Sequence, residues 1–126
     1  MLREGIIGQG ETLVTQENTA KTVGSGELDV FATPAMIALM EETAYKSVAG
    51  ELDAGMGSVG TLMNVKHVSA TPVGRKVTCR TELREVDGRR LVFHVEARDE
   101  AGLIGEGVHE RFIVDNEKFQ KKADSK

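Results

Sequence analysis

Glu41 and His67 are the two side chains of this 126-residue chain whose type and placement best fit acid–base or nucleophilic chemistry. A carboxylate can attack a carbonyl or take a proton from water, and an imidazole can deliver a proton near neutral pH. Glu41 falls at the edge of an apolar helical arc, where a glutamate is most often a surface residue. His67 shares strand parity with Val59, Met63 and Val65, which predicts that it points toward the core. A lone histidine in such a place is more often a packed core residue than a catalyst. The combination says more than either residue alone, because an inward His67 beside the helix can meet Glu41 or Thr33. Thr33 reads as a helix N-cap, a role sufficient to explain it, although a hydroxyl there can also bond a substrate or a carboxylate.

The remaining reactive types carry less. His94, among Glu96 and Arg98, reads as solvent-facing, and His109 has ambiguous parity because the glycines before it permit a bulge. No His-x-x-x-His spacing occurs, and the glycines at 55, 57 and 60 match neither a Walker loop nor a dinucleotide fingerprint. Neither a metal nor a cofactor is therefore expected. Cys79 is the only cysteine, which removes intramolecular disulfides and cysteine-based zinc sites and leaves it as a packing residue.

The elements that must position these residues are legible as changes of period. Thr33 to Gly50 reads as a helix, with Pro34 in its first turn and Gly50 ending it. Met36, Ile37, Met40, Ala44 and Val48 gather on one arc, Glu41 borders that arc, and Glu42 faces away. Before the helix, Thr12 to Thr22 is a strand candidate. After it the period is two: residues 59 to 67, then Val77, Cys79, Thr81 and Leu83, then Leu91, Phe93, Val95 and Ala97. Turns fall at Thr71-Pro72-Val73-Gly74, Asp87-Gly88 and Ala101-Gly102, ahead of a last strand from about Leu103 to Val114. Residues 116–126 read as a short helical turn and a frayed tail. The order is strand, long helix, then four antiparallel strands. This predicts one α+β domain over 1–126, a hotdog fold with one long helix wrapped by an antiparallel sheet of about five strands. An unpaired sheet edge predicts a homodimer, possible growth to a tetramer following the same logic.

Composition bounds the partners. A net charge of −4 and a pI near 5.4 argue against nucleic acid as a bulk ligand. No apolar run approaches the roughly 20 residues of a membrane helix, and a cytoplasmic protein is expected.

The stretch Val30-Phe31-Ala32-Thr33-Pro34-Ala35-Met36-Ile37-Ala38-Leu39-Met40-Glu41 resembles the fluoroacetyl-CoA thioesterase family of hotdog enzymes. So do Gly57-Ser58-Val59-Gly60-Thr61, the run from Val65 to Gly74, the run from Glu82 to Leu91, and Gly105 to Arg111. The resemblance implies hydrolysis of an acyl-CoA thioester without metal or cofactor. It carries the family's threonine, glutamate and histidine onto Thr33, Glu41 and His67. It likewise carries a glycine that lies against the thioester carbonyl onto Gly60, and a last-strand arginine onto Arg111. By motif, Arg84, Arg89 and Arg90 become candidates for the coenzyme phosphates. The resemblance stops at the aromatic-rich lid of fluoroacetate-specific members. Residues 21–29 are short here and hold no aromatic side chain, so selection for fluorine is not expected beyond its effect on carbonyl electrophilicity.

On these expectations Glu41 attacks the carbonyl or activates water, His67 orients and protonates, and Thr33 holds Glu41 or the substrate. The Gly60 N–H would meet the oxyanion, a contact typically worth about 3 kcal/mol. A non-catalytic acyl-CoA-binding module would keep the fold without needing Glu41 and His67 together. A hydratase on the same fold has less support, for want of an Asp-x-x-x-x-His pair.

Overall fold

A computed structural model describes residues 1–126. Five strands form one antiparallel sheet in the order β1-β3-β4-β5-β2: β1 (Ile7–Leu13), β2 (Met56–His67), β3 (Lys76–Asp87), β4 (Arg90–Asp99) and β5 (Gly102–Asp115). The short helix α1 (Ala20–Val23) and the 17-residue α2 (Thr33–Ala49) come between β1 and β2, and α3 (Asn116–Asp124) closes the chain. The sheet curls around α2, which packs on β1, β2, β3 and β4. This is the hotdog arrangement expected from the periodicities.

The core follows from the alternation. Val77, Leu83, Leu91, Phe93, Val95 and Ala97 are inaccessible on the inner face of β3 and β4, against Met36, Met40, Ala44 and Val48 of α2. Burying each large apolar side chain contributes about 1.5–3 kcal/mol, enough for an aliphatic core to hold without tryptophan. Cys79 belongs to this core, and burial pushes its thiol up to about 11, so it is inert as a nucleophile.

Four expectations need correction. The first strand is Ile7–Leu13, not Thr12 to Thr22. Thr19 instead caps α1 by accepting from the Thr22 N–H. The strand was hidden because its inner positions are Gly8 and Gly10, where α2 comes so close that no apolar alternation can exist. A Cβ at Gly8 would lie 2.8 Å from the Thr43 carbonyl oxygen. That approach also turns the helix arc: Leu39 and Thr43 are buried, while Ile37 is only partly so.

The second correction is at the start of α2. Its N-cap is Ala32, with no side-chain cap, and Thr33 is the first helical residue. The Thr33 hydroxyl is thereby free to face another side chain. Third, β2 carries an irregularity between Gly60 and Leu62. The extra residue reverses parity, so Ser58 and Gly60 share the inner face with Met63, Val65 and His67, and Val59 pairs with exposed Phe112 on the outer face. Fourth, the tail is a nine-residue helix rather than a single turn, begun by Asp115 accepting from the Lys118 N–H at 3.1 Å.

Candidate active site

The expected residues gather at two places rather than one. Thr33 opens α2 and Glu41 lies eight residues further along it, which is about 12 Å of helix at 1.5 Å per residue. His67 ends β2, and it meets Thr33 and not Glu41.

At the amino-terminal end of α2, Thr33 Oγ1 is 2.7 Å from His67 Nδ1. The other ring nitrogen, Nε2, is buried without a hydrogen-bond partner. Burial holds His67 below the ordinary histidine pKa, so the ring is neutral at physiological pH. The pair borders a cleft of about 270 Å³ with Val30, Phe31, Val68 and Ser69 on its walls. The segment before α2 is pinned there. Phe31 donates its N–H to the Thr71 carbonyl at 2.8 Å, and the Thr71 hydroxyl donates to Asp99 Oδ2 at 2.8 Å.

Midway along α2 the second cluster is denser. Glu41 Oε2 sits 3.5 Å from Arg111 NH1, with 42% of the glutamate side chain exposed against 8% of the arginine. Glu42 points outward and pairs with Lys46 across one turn, as expected of a surface residue. Arg111 donates through Nε to Ser58 Oγ and through NH2 to the Ser58 carbonyl, both at 2.8 Å. Its NH1 is 3.1 Å from His109 Nε2, and the Tyr45 ring covers the guanidinium with 5.6 Å between Cζ and the centroid. Burial draws Arg111 down from the ordinary arginine pKa and Glu41 opposes this, leaving a cation aimed at a carboxylate. Gly60 completes the cluster. A Cβ there would stand 2.5 Å from Glu41 Oε2 and 3.3 Å from His109 Cε1. The carboxylate thus lies directly against bare backbone, which no other residue type allows.

His109 was the ambiguous histidine of the sequence, and it is buried at 1% exposure. Its signal was present: Gly105, Gly107, His109 and Arg111 alternate along β5, so placing Arg111 inward places His109 inward too. Ser58 was obscured by the bulge, and Tyr45 by its place on the exposed flank of the helix. The spacing Glu106-Gly107-Val108-His109 can ligate a metal on a helix, but on β5 it sends the two side chains to opposite faces, and no cluster able to hold a metal is present.

The proposed coenzyme arginines come to neither cluster. Arg90 is held by Glu110 at 2.9 Å and Glu85 at 3.1 Å, Arg84 lies 3.4 Å from Glu82, and Arg89 stands exposed in the β3–β4 turn. A hollow of about 590 Å³ is on the outer face among Gln9, Glu11, Arg80, Glu96 and Arg98. It is the curl of the sheet, with no oriented nucleophile or base, and we place no chemistry there.

Comparison with known proteins identifies the family. A model of the fluoroacetyl-CoA-specific thioesterase family matches residues 14–117. The chain is 46% identical over 98 residues to the fluoroacetyl-CoA thioesterase of Streptantibioticus cattleyicolor, covering 78% of this chain and 70% of that one. The structure of the fluoroacetyl-CoA thioesterase FlK superposes with a TM-score of 0.94 at 39% identity, covering 100% of this chain and 98% of that one. A threonine-to-serine variant of FlK holding acetyl-CoA gives 0.93 at 36% identity over 98% of each chain. No helix here is long and apolar enough to cross a membrane. The chain belongs to the fluoroacetyl-CoA-specific thioesterase family, and is by that membership a hotdog-fold thioester hydrolase.

Proposed function

We propose that the protein hydrolyses small acyl-CoA thioesters to the free acid and CoA, with Glu41 as nucleophile or general base and His67 and Thr33 managing the proton. The observation that carries this is the Glu41 carboxylate pressed against the Gly60 backbone, with Arg111 behind it. Along one route Glu41 takes a proton from water and the hydroxide adds to the carbonyl carbon. Along the other, the carboxylate adds directly and water later cleaves the anhydride. In both, the C–S bond breaks and the thiolate leaves as CoA once it takes a proton from solvent, which the neutral His67 ring relays by giving one ring proton and regaining another, and a backbone N–H near Gly60 receives the oxyanion.

The two clusters must then act on one substrate across some 12 Å of helix. A second copy resolves this separation. β2 is an edge strand with an open side, and pairing it with the same strand of a second copy makes one continuous sheet. A two-fold axis through Asn64 pairs Val65 with the partner's Met63, both on the inner face, and sets the bulge at Gly60 and Thr61 of one copy opposite the partner's His67. Each site of this homodimer joins Glu41, Gly60 and Arg111 from one chain to Thr33 and His67 from the other.

Two measurements test the reading. Glu41→Gln keeps shape and most hydrogen bonding, and its kcat on acetyl-CoA should fall by at least about a hundredfold, whereas Glu42→Gln stays within a few-fold. Full activity in Glu41→Gln would sink the assignment. Mixing Glu41→Gln chains with His67→Ala chains, each inactive alone, should restore about a quarter of parental activity through mixed dimers with one intact site. No recovery from demonstrated mixed dimers, or a monomer at micromolar concentration by light scattering, would overturn the shared site.

A further inference from the structure

His109 touches none of the groups given a chemical step above, yet the structure assigns it a single protonation pattern. Its Nδ1 is 2.9 Å from the Leu62 carbonyl, which can only accept, so Nδ1 bears the hydrogen. Its Nε2 is 3.1 Å from Arg111 NH1, which can only donate, so Nε2 is bare. The ring is stacked near Phe93, with centroids 6.1 Å apart and planes 27° from parallel. Both ring nitrogens are occupied, and the ring has no freedom to turn.

We propose that His109 is a positioning residue: as a neutral imidazole it accepts from Arg111 NH1 and so aims the guanidinium at Glu41. The inference rests on Glu41 being the reacting carboxylate. Ser58 holds the far side of Arg111 through Nε and NH2, and only His109 and Glu41 address NH1. Without a bare Nε2, NH1 would confront an N–H and turn away. The charged groups facing His109 are Arg111 from its own strand and Glu41 from α2. β2 offers only the Leu62 carbonyl, and β4 only Phe93. Burial, the largest influence, keeps His109 below the ordinary histidine pKa and thus neutral in this position.

Two near-isosteric substitutions separate the halves of the ring. His109→Gln can place its amide oxygen where Nε2 stands and keeps the acceptor for Arg111. His109→Asn reaches only the Leu62 side and loses it. With both variants folded, His109→Asn should lose about tenfold or more in kcat at a KM within about threefold, while His109→Gln stays within about threefold of the parent. In an Arg111→Ala background the same Asn substitution should have no further effect, because a positioning residue acts only through its client. Nitrogen chemical shifts of the unmutated protein should show His109 neutral with its proton on Nδ1. Equal losses in both variants, an additive loss in the Arg111→Ala background, or a proton on Nε2 would each overturn the proposal. Should Glu41→Gln prove fully active while these results hold, the catalytic assignment fails and the positioning of Arg111 stands.

Discussion

The two ends of the stretch of α2 from Thr33 to Glu41 are built on opposite plans. At Thr33 and His67 there is one side-chain hydrogen bond, an open cleft beside it and a ring nitrogen with no partner. At Glu41, each polar group of Arg111 has an assigned neighbour, and four elements contribute: Glu41 and Tyr45 from α2, Ser58 and Leu62 from β2, Phe93 from β4, and His109 and Arg111 from β5. The sparse end can move a proton to something that arrives. The dense end cannot rearrange without losing several bonds, which suits a group that must hold a charge in a fixed place.

The largest expected effect separates these plans by stability. Arg111→Ala leaves His109 Nε2 and both Ser58 oxygens without their donor, and should lower unfolding stability by about 2–3 kcal/mol. His67→Ala removes one bond to an exposed threonine and should cost under about 1 kcal/mol, yet it should lower kcat by about a hundredfold or more. Urea unfolding of both variants beside their kinetics decides it. Equal stability losses would erase the contrast between the ends.

A finer test compares two glycines that α2 presses upon. At Gly60 the nearest atom to an added Cβ is the tip of Glu41, a side chain that can swing aside. Gly60→Ala should fold nearly normally and lose about tenfold in kcat, as expected when a reacting group is displaced. At Gly8 the added Cβ meets the Thr43 backbone oxygen and Ser47 Cβ, both at 2.8 Å, and neither can step away. Gly8→Ala should cost about 1–3 kcal/mol by overpacking and leave the kcat of the folded enzyme unchanged. A stability loss at Gly60 as large as that at Gly8 would show that the carboxylate is rigidly built into the wall.

The same contrast explains what was legible in the sequence. The helix, β3, β4 and the hairpin at Asp87-Gly88 could be read because most of their inner positions are apolar and the period holds from Val77 to Leu83 and from Leu91 to Ala97. β1 could not, since its inner face is glycine, nor could the true parity of β2, since a bulge leaves no mark in composition. Thr33, Glu41, His67, Gly60 and Arg111 were reached through parity, helix angle and family resemblance. The separation of Glu41 from His67 was not, because angle around a helix says nothing of distance along it. His109 and Ser58 were missed for a related reason: their partner is Arg111, and a hydrogen-bond network is a property of strands brought together, not of spacing within one.

The smallest expected effect is in the pH dependence of stability, and it also distinguishes the two ends. Burial lowers the pKa of both His67 and His109 in the folded protein. In the unfolded chain each recovers the ordinary histidine value, so between the two values the unfolded state binds the extra proton. Their contribution to stability is therefore complete above the ordinary value, declines as pH falls below it, and is gone once pH passes the folded value. Glu51 and Asp99, the carboxyls held below their usual range, act at lower pH and do not disturb this window. The melting temperature should thus be level from pH 8 to about 7 and fall from about 6.5 toward 5. His109 is the more deeply enclosed ring, at 1% exposure, with Arg111 against it adding to the cost of charging. His67 borders an open cleft and gains a proton more cheaply. Replacing His109 by Gln should accordingly flatten the acid-side decline more than replacing His67 by Gln, each measured relative to its own value at pH 7.5. If the His67 variant is the flatter of the two, the sparse end is the more tightly closed one in solution, and the contrast drawn between them is reversed.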